Sequence, residues 1–342
     1  MTLFNSINFI KKMKYLVTGA SGFIGSHVLY ALLESANENN LVDITTIDKK
    51  TGGNDGVLKN KDENYDIVKG GRWSNILFAS TENNSHQEIV VDIADTSNNT
   101  TILEALEDVD TVFHLAAKPS VPASIEDPVG FNTANVSGTL NMLELSRVAG
   151  VRRFVFSSSS SVYGDIEVFP TPETTQLNPL SPYALQKQIG EQYCQLYSKV
   201  YDLETVSLRY FNVYGEGMPT QGAYCNVMGA FSTSQKEGKP LKIFGDGSQK
   251  RDFTYVKDIA RANLLASSSV KAGAGECINI GTGTNSSVQE IADVFGGSFE
   301  YLPKRLEPSQ SLADNTKAKE LLGWLPTINV KDWLNENIHS GT

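Results

Sequence analysis

Tyr183 and Lys187 stand four residues apart in a segment of helical periodicity, so both side chains leave one face of the helix. A phenol titrates near pH ~10, too high for a base in neutral solution. A neighbouring ammonium favours the phenolate and lowers that value, which makes the pair a candidate proton acceptor. Upstream, residues 157–161 are five consecutive serines at the end of an apolar run, a supply of hydroxyl donors. Y-x-x-x-K arises often by chance, so the pair gains weight only from its surroundings. The four histidines, His27, His86, His114 and His339, have no metal-ligand spacing, and His114 lies inside an apolar run as a packed residue would. Cys194, Cys225 and Cys277 form no C-x-x-C pattern. That predicts neither a metal site nor a disulfide framework, and it fits a reducing compartment, the cytoplasm.

A second constellation lies near the N-terminus. Gly19-Ala-Ser-Gly22-Phe-Ile-Gly25 has G-x-x-G-x-x-G spacing between a short apolar run and a helix-periodic segment. Glycines there allow a tight turn and a close backbone approach to a pyrophosphate seated on the helix N-terminus. Asp48 ends the next apolar run, 23 residues beyond Gly25. A carboxylate at that point accepts both hydroxyls of an adenosine ribose and repels a 2′-phosphate, which predicts NAD rather than NADP.

The elements that must position these groups alternate. Apolar runs at 14–18, 43–47, 88–91, 111–116, 153–156 and 205–209 read as strands, and 23–35, 132–149 and 183–201 as helices. Near-continuous apolar strands separated by helices predict an α/β fold, a doubly wound parallel sheet covered on both faces. Residues 51–87 are rich in Asn, Asp, Gly, Lys and Ser and read as a surface insertion. The expected organisation is an N-terminal appendage (1–13), a dinucleotide-binding domain (14–212), and a smaller lobe (213–342) with some segments returning to the main domain. The first dozen residues place Lys11 and Lys12 after their apolar stretch, the reverse of a signal peptide. No apolar run approaches the ~20 residues of a membrane span. Lys plus Arg total 29 against 39 Asp plus Glu, a formal charge of −10 with no basic cluster, which argues against nucleic-acid binding.

Together with the glycine motif, four further strings resemble one family. They are Ser157-Ser-Ser-Ser-Ser-Val-Tyr-Gly164, Ser181-Pro-Tyr183-Ala-Leu-Gln-Lys187, Arg209-Tyr-Phe-Asn-Val-Tyr-Gly215 and Gly245-Asp-Gly-Ser-Gln-Lys-Arg251-Asp-Phe-Thr-Tyr255. In this order they resemble the extended short-chain dehydrogenase/reductases, and within them the nucleotide-sugar 4-epimerases. The resemblance implies a Rossmann-type domain for NAD and a C-terminal lobe for a UDP-sugar. It places Gly19, Gly22, Phe23, Ile24 and Gly25 at the pyrophosphate, Asp48 at the adenosine ribose and Asp92 and Ile93 beside the adenine. Leu115, Ala116, Ala117, Ser157 and Tyr210 join the cofactor's lining, and Tyr183 and Lys187 reach its nicotinamide ribose side. Asn135 matches a helix position that steadies the site wall. Ser120, Ser159, Asn212, Tyr224, Arg251, Arg305 and Ser311 fall to the substrate. The family's Gly-Asp pair after Arg305 is here Glu307-Pro308.

The implied reaction is inversion at C4 of a UDP-hexose through a transient 4-keto sugar, with Tyr183 as base, Ser159 as hydroxyl partner and Lys187 as support. Ser159 is favoured over Ser158 and Ser160 by register, three residues before Val162. The related dehydratases and decarboxylases carry acids just before Val-Tyr-Gly, where this chain has Ser160 and Ser161, leaving water elimination without a proton donor. A UDP-uronate 4-epimerase and other epimerases or reductases of the family are alternatives, as is a non-catalytic dinucleotide-binding regulator. Ser311, three positions before Asp314, matches a sugar-pocket wall near C2. Serine there leaves room for a 2-acetamido group, predicting UDP-GlcNAc/UDP-GalNAc as substrates, alongside or instead of UDP-Glc/UDP-Gal. A homodimer through the helices at 132–149 and 183–201 is expected, with Leu196, Tyr197 and Val200 adding apolar bulk.

Overall fold

The computed structural model describes residues 12–36, 41–49, 85–222, 225–304 and 307–338. Residues 1–11 of the expected appendage, residues 50–84 around the insertion, and Tyr224, Arg305 and His339 lie outside them. Seven strands of the described residues form one sheet in the order β3-β2-β1-β4-β5-β6-β11, every neighbouring pair parallel. They are β1 (Met13–Thr18), β2 (Val42–Asp48), β3 (Ser85–Val90), β4 (Thr111–His114), β5 (Arg153–Ser159), β6 (Glu204–Tyr210) and β11 (Ala274–Ile280). Three short ladders accompany it: β7 (Val213–Tyr214) with β10 (Thr254–Tyr255), β8 (Leu241–Phe244) with β13 (Phe299–Leu302), and β9 (Lys250–Arg251) with β12 (Ser286–Ser287).

The helices are α1 (Phe23–Ser35), α2 (Asn99–Ala105), α3 (Val121–Glu126), α4 (Pro128–Asn132), α5 (Gly138–Val148), α6 (Pro182–Tyr201), α7 (Val227–Lys236), α8 (Val256–Ser268), α9 (Val288–Phe295), α10 (Thr316–Leu322) and α11 (Val330–Ile338). One face of the sheet packs Val17, Val155 and Val206 with Val28 and Leu32 of α1 and Ile259 and Ala262 of α8. The other packs Leu16, Val112 and Phe154 with Ile102 of α2, Met142 of α5 and Cys194 of α6. Burial on both faces is why β4 and β5 read as unbroken apolar runs. A separate core of Phe231, Leu241, Ile243, Ile291 and Trp333 gathers in the C-terminal part. Chain from that part returns to the main sheet as β11 beside β6.

The parallel register aligns the carboxyl ends of the strands. Thr18 pairs with His114, His114 with Phe156, and Ser159 with Tyr210. Ligands of open α/β sheets bind in the crevice at this edge, and Gly19, Asp48, Leu115 and Ser159 all stand on it.

Three elements differ from the sequence expectation. β3 begins at Ser85, inside the span read as insertion, because an edge strand needs backbone partners more than apolar side chains, and it finds them along 43–48 of β2. β5 runs on through Ser157, Ser158 and Ser159, whose hydroxyls find partners within the fold. The helix expected over 132–149 starts at Pro128 and is interrupted by a π turn, Thr133–Ser137, centred on Asn135. Among the described residues, no helix is long and apolar enough to cross a membrane.

Candidate active site

The turn after β1 is built by crowding. Gly19 has φ 72°, and a Cβ there would lie 2.6 Å from the Ala116 nitrogen. A Cβ on Gly25 would come within 2.1 Å of the Gly19 carbonyl oxygen. Only glycine lets the turn, the loop after β4 and α1 approach this closely. Gly22, the N-cap of α1, has no side-chain capping bond, so the first N–H groups of the helix face outward without intrahelical partners. Asp48 Oδ2 accepts the Ser21 N–H at 3.0 Å and Oδ1 the Lys49 N–H at 2.8 Å, holding the carboxylate at the rim of the turn with lone pairs to spare. An uncapped helix start, a turn cleared of side chains and a carboxylate acceptor fit a dinucleotide. Asp92 accepts from Lys49 Nζ at 2.6 Å and the Ala94 N–H at 3.0 Å. Partial burial raises its carboxyl pKa, but these donors bring it below the ordinary range. Ile93 is buried, and its carbonyl accepts from Asn141.

The loop after β4 carries Leu115, Ala116 and Ala117, each half-buried, and ends at Ser120, which caps α3 by accepting the Ala123 N–H at 3.2 Å. Asn135 grips both backbone groups of Lys118: Oδ1 accepts its N–H at 2.7 Å and Nδ2 donates to its carbonyl at 3.0 Å. Nδ2 also donates to Gln186 Oε1 of α6 at 2.9 Å. The π turn therefore aims Asn135 at Lys118 and at Gln186 of α6.

Ser181 caps α6 and Pro182 begins it, which fixes where the helix presents Tyr183. The Tyr183 N–H donates to Ser124 Oγ of α3 at 3.2 Å. Lys187, buried, donates from Nζ to the Ser157 carbonyl at 2.7 Å and lies 4.9 Å above the Phe156 ring. The same ammonium is 6.0 Å from the centre of the Tyr183 ring. Burial pushes its pKa down to about 8.

The serines divide by face. Ser157 Oγ is 2.9 Å from Tyr210 Oη, which in turn accepts from Asn263 Nδ2 of α8 at 2.8 Å. The Tyr210 hydroxyl is thus shared between Ser157 and Asn263, and burial lifts its phenol to about 12. Ser158 turns the other way and donates to Glu191 Oε1 of α6 at 2.5 Å. Ser159 caps a 3-10 turn, accepting from the Ser161 N–H at 3.2 Å and from Ser161 Oγ at 2.9 Å, and stays half-buried at the strand end with its own proton available.

On the substrate side, Asn212 has φ 20°, and Nδ2 donates to the Asp252 carbonyl and to Ser311 Oγ, both at 3.0 Å. Both amide hydrogens are engaged, which leaves Oδ1 as its free polar atom. Ser311 Oγ also accepts the Asp252 N–H at 3.2 Å. The fully buried Asp252 carboxylate accepts from the Ala313, Thr282 and Gly283 amides and the Thr282 hydroxyl, tying the turn before Asp314 to the end of β11. Arg251 is paired with Glu307 at 2.8 Å rather than with either neighbouring aspartate.

Sequence reasoning passed over Glu191, Arg209 and the threonines at positions 18 and 139. Glu191 and Arg209 form a buried two-pronged ion pair, with Nε–Oε1 at 2.8 Å and Nη2–Oε2 at 2.7 Å. Glu191 lies four residues after Lys187 on one buried helix face, a spacing visible in the sequence. Among the described residues, no group of three or more His, Cys, Asp or Glu side chains is arranged to hold a metal ion.

The model of the NAD dependent epimerase/dehydratase family matches residues 15–281. The UDP-glucose 4-epimerase of Mycolicibacterium smegmatis is 36% identical over 335 residues, covering 95% of this chain and 97% of that protein. A UDP-N-acetylglucosamine 4-epimerase from Methanobrevibacter ruminantium M1, solved with UDP-N-acetylmuramic acid, superposes with a TM-score of 0.80 at 30% identity, over 96% of this chain and 98% of that one. The UDP-glucuronic acid 4-epimerase from Bacillus cereus, solved with UDP-glucuronic acid and NAD, gives 0.77 at 32% identity, over 96% and 99%.

Proposed function

The chain belongs to the NAD dependent epimerase/dehydratase family and is an NAD-dependent nucleotide-sugar 4-epimerase; we propose that it inverts C4 of UDP-GlcNAc/UDP-GalNAc, with UDP-Glc/UDP-Gal as further substrates. The observation that carries this is the Tyr183–Lys187 pair beside a strand end that presents Ser159 and no acid at 160 or 161. Tyr183 takes the proton of the 4-hydroxyl, and Ser159 donates its remaining hydrogen to that oxygen as it becomes a ketone. The ammonium of Lys187, 6.0 Å from the centre of the Tyr183 ring, sets a positive charge beside the phenol and would hold the cofactor's ribose. NAD, when bound, supplies the hydride acceptor and donor, so no net oxidation occurs. Gly19 to Gly25 and the start of α1 hold its pyrophosphate. Asp48 accepts its ribose hydroxyls, which supports NAD over NADP.

Asn212, Arg251 and the Arg305 segment hold the nucleotide end while the sugar turns over. Arg251 must exchange its single contact with Glu307 for phosphate oxygens to do so, and the planar guanidinium fork suits a phosphate. We propose a homodimer through α5 and α6. Leu196 and Val200 are 48% and 55% exposed on α6, whereas Tyr197 turns inward and bonds Glu144. The three free thiols support a cytoplasmic location.

Incubating the purified protein with UDP-GlcNAc, UDP-Glc and UDP-glucuronate separately, and resolving products by chromatography, tests the reading. The expected result is UDP-GalNAc from the first. Conversion of the uronate alone would transfer the assignment to the uronate enzymes.

A further inference from the structure

His114 is the last residue of β4, buried beside the Phe154 and Phe156 rings of β5. Its Nδ1 is 2.9 Å from Thr18 Oγ1, and its Nε2 is 3.0 Å from Thr139 Oγ1. Hydrogen accounting fixes the direction of both bonds. The single proton of Thr139 Oγ1 goes to the Asn135 carbonyl at 2.7 Å, so Thr139 can only accept from the ring. Nε2 therefore carries the hydrogen. In a neutral imidazole Nδ1 is then the acceptor, and the Thr18 hydroxyl donates to it. Thr18 Oγ1 itself accepts the Ala116 N–H at 3.2 Å. The path runs one way from Ala116 through Thr18, His114 and Thr139 to Asn135, whose side chain closes it on Lys118.

We propose that His114 is a positioning residue, held in its Nε2–H tautomer by Thr18 and Thr139, which closes a directional hydrogen-bond ring around the loop at 115–118 and sets that loop as the wall of the cofactor groove. The inference rests on the reading that this loop lines NAD. The ring clamps the loop at both ends, at Ala116 from β1 and at Lys118 from the π turn, and so adds side-chain bonds to the backbone pairing of β1 with β4. Desolvation takes the imidazole pKa down to about 3, and Lys187 of α6 acts in the same direction, so the ring stays neutral at physiological pH.

Two measurements test this on the protein as purified. In ¹⁵N-histidine-labelled protein, the His114 resonances are assigned by their loss in His114→Gln. They should report a protonated Nε2 and bare Nδ1, unchanged from pH 5 to 8. The rate at which bound NAD is lost into NAD-free buffer should rise about tenfold in Thr139→Val, which strands the Nε2–H, and stay within about twofold in Thr139→Ser. A protonated Nδ1, a ring that titrates between pH 5 and 8, or a folded Thr139→Val that keeps NAD as the unmodified protein does, would each overturn the proposal. If Thr139→Val does not fold, the ring-nitrogen spectrum decides. Neither readout requires turnover, so failure of the sugar assignment would leave this inference standing.

Discussion

Replacing Ser311 separates two roles that this side chain combines. Its Oγ accepts hydrogens from Asn212 Nδ2 and the Asp252 backbone, so any residue without that oxygen strands two part-buried donors. At ~1 kcal/mol for each lost bond, Ser311→Ala should lower kcat/KM by roughly 30-fold through misplacement of Asn212. That loss should be the same for UDP-GlcNAc and UDP-Glc, because neither donor distinguishes the two sugars. Ser311→Tyr loses the same bonds and adds a ring where a 2-acetamido group would sit. A clash of ~1–3 kcal/mol gives a further ~10–200-fold against the acetylated sugar alone. The assay is initial-rate kinetics on both substrates for the unmodified enzyme and both variants. The ratio of the two kcat/KM values should be unchanged by alanine and shifted by tyrosine. An alanine variant that changes the ratio would show that the hydroxyl itself reads the sugar. A tyrosine variant that leaves the ratio alone would remove Ser311 from the pocket wall.

Tyr183→Phe should keep the fold and bound NAD and lose ~10²–10⁴-fold in kcat, since a positioned base contributes about that much; near-normal turnover would assign the base elsewhere. Lys187 has a lowered pKa of about 8, so the unfolded chain binds its proton more tightly than the folded one. Stability should therefore rise with pH from about 8 upward, and Lys187→Met should remove that rise in denaturant titrations compared between pH 8 and 9.5. Equal slopes in both proteins would refute the assignment. Placing glutamates at Leu196 and Val200 on the outer face of α6 should give monomers by light scattering at micromolar concentration, whereas an unmodified protein already monomeric would end the dimer proposal.

The parts of the site set by local sequence were legible. The glycine turn, Asp48 at a strand end and the Tyr183–Lys187 spacing each follow from neighbours within a few residues; the structure puts the first two on one sheet edge and Lys187 of α6 against the end of β5. Helix α1 spans 23–35 as its periodicity predicted. What stayed hidden depends on pairs distant in sequence. Asn212 and Ser311 are 99 residues apart, and nothing local to either states that an amide hydrogen of one is spent on the other. His114 was legible as a packed residue because it sits in an apolar run, but Thr18 and Thr139 face it only once β1 and α5 close on β4. The five serines could not be told apart by composition. Pleating separates them, turning Ser158 to Glu191 and Ser157 to Tyr210. The π turn at Asn135 leaves no mark in helical periodicity, and Arg251 met Glu307 rather than the adjacent acids because β9 carries it toward the loop at 307.

The central claim, that hydride leaves C4 and returns to the opposite face within one site, is tested most directly with UDP-GlcNAc carrying deuterium at C4. The purified protein is incubated with it without added NAD, and the product is read by NMR and mass spectrometry. The account predicts the C4 epimer at unchanged mass with the deuterium kept at C4. An epimer that has exchanged C4 deuterium for solvent hydrogen, a product lighter by water, or no epimer from protein that holds NAD would contradict it.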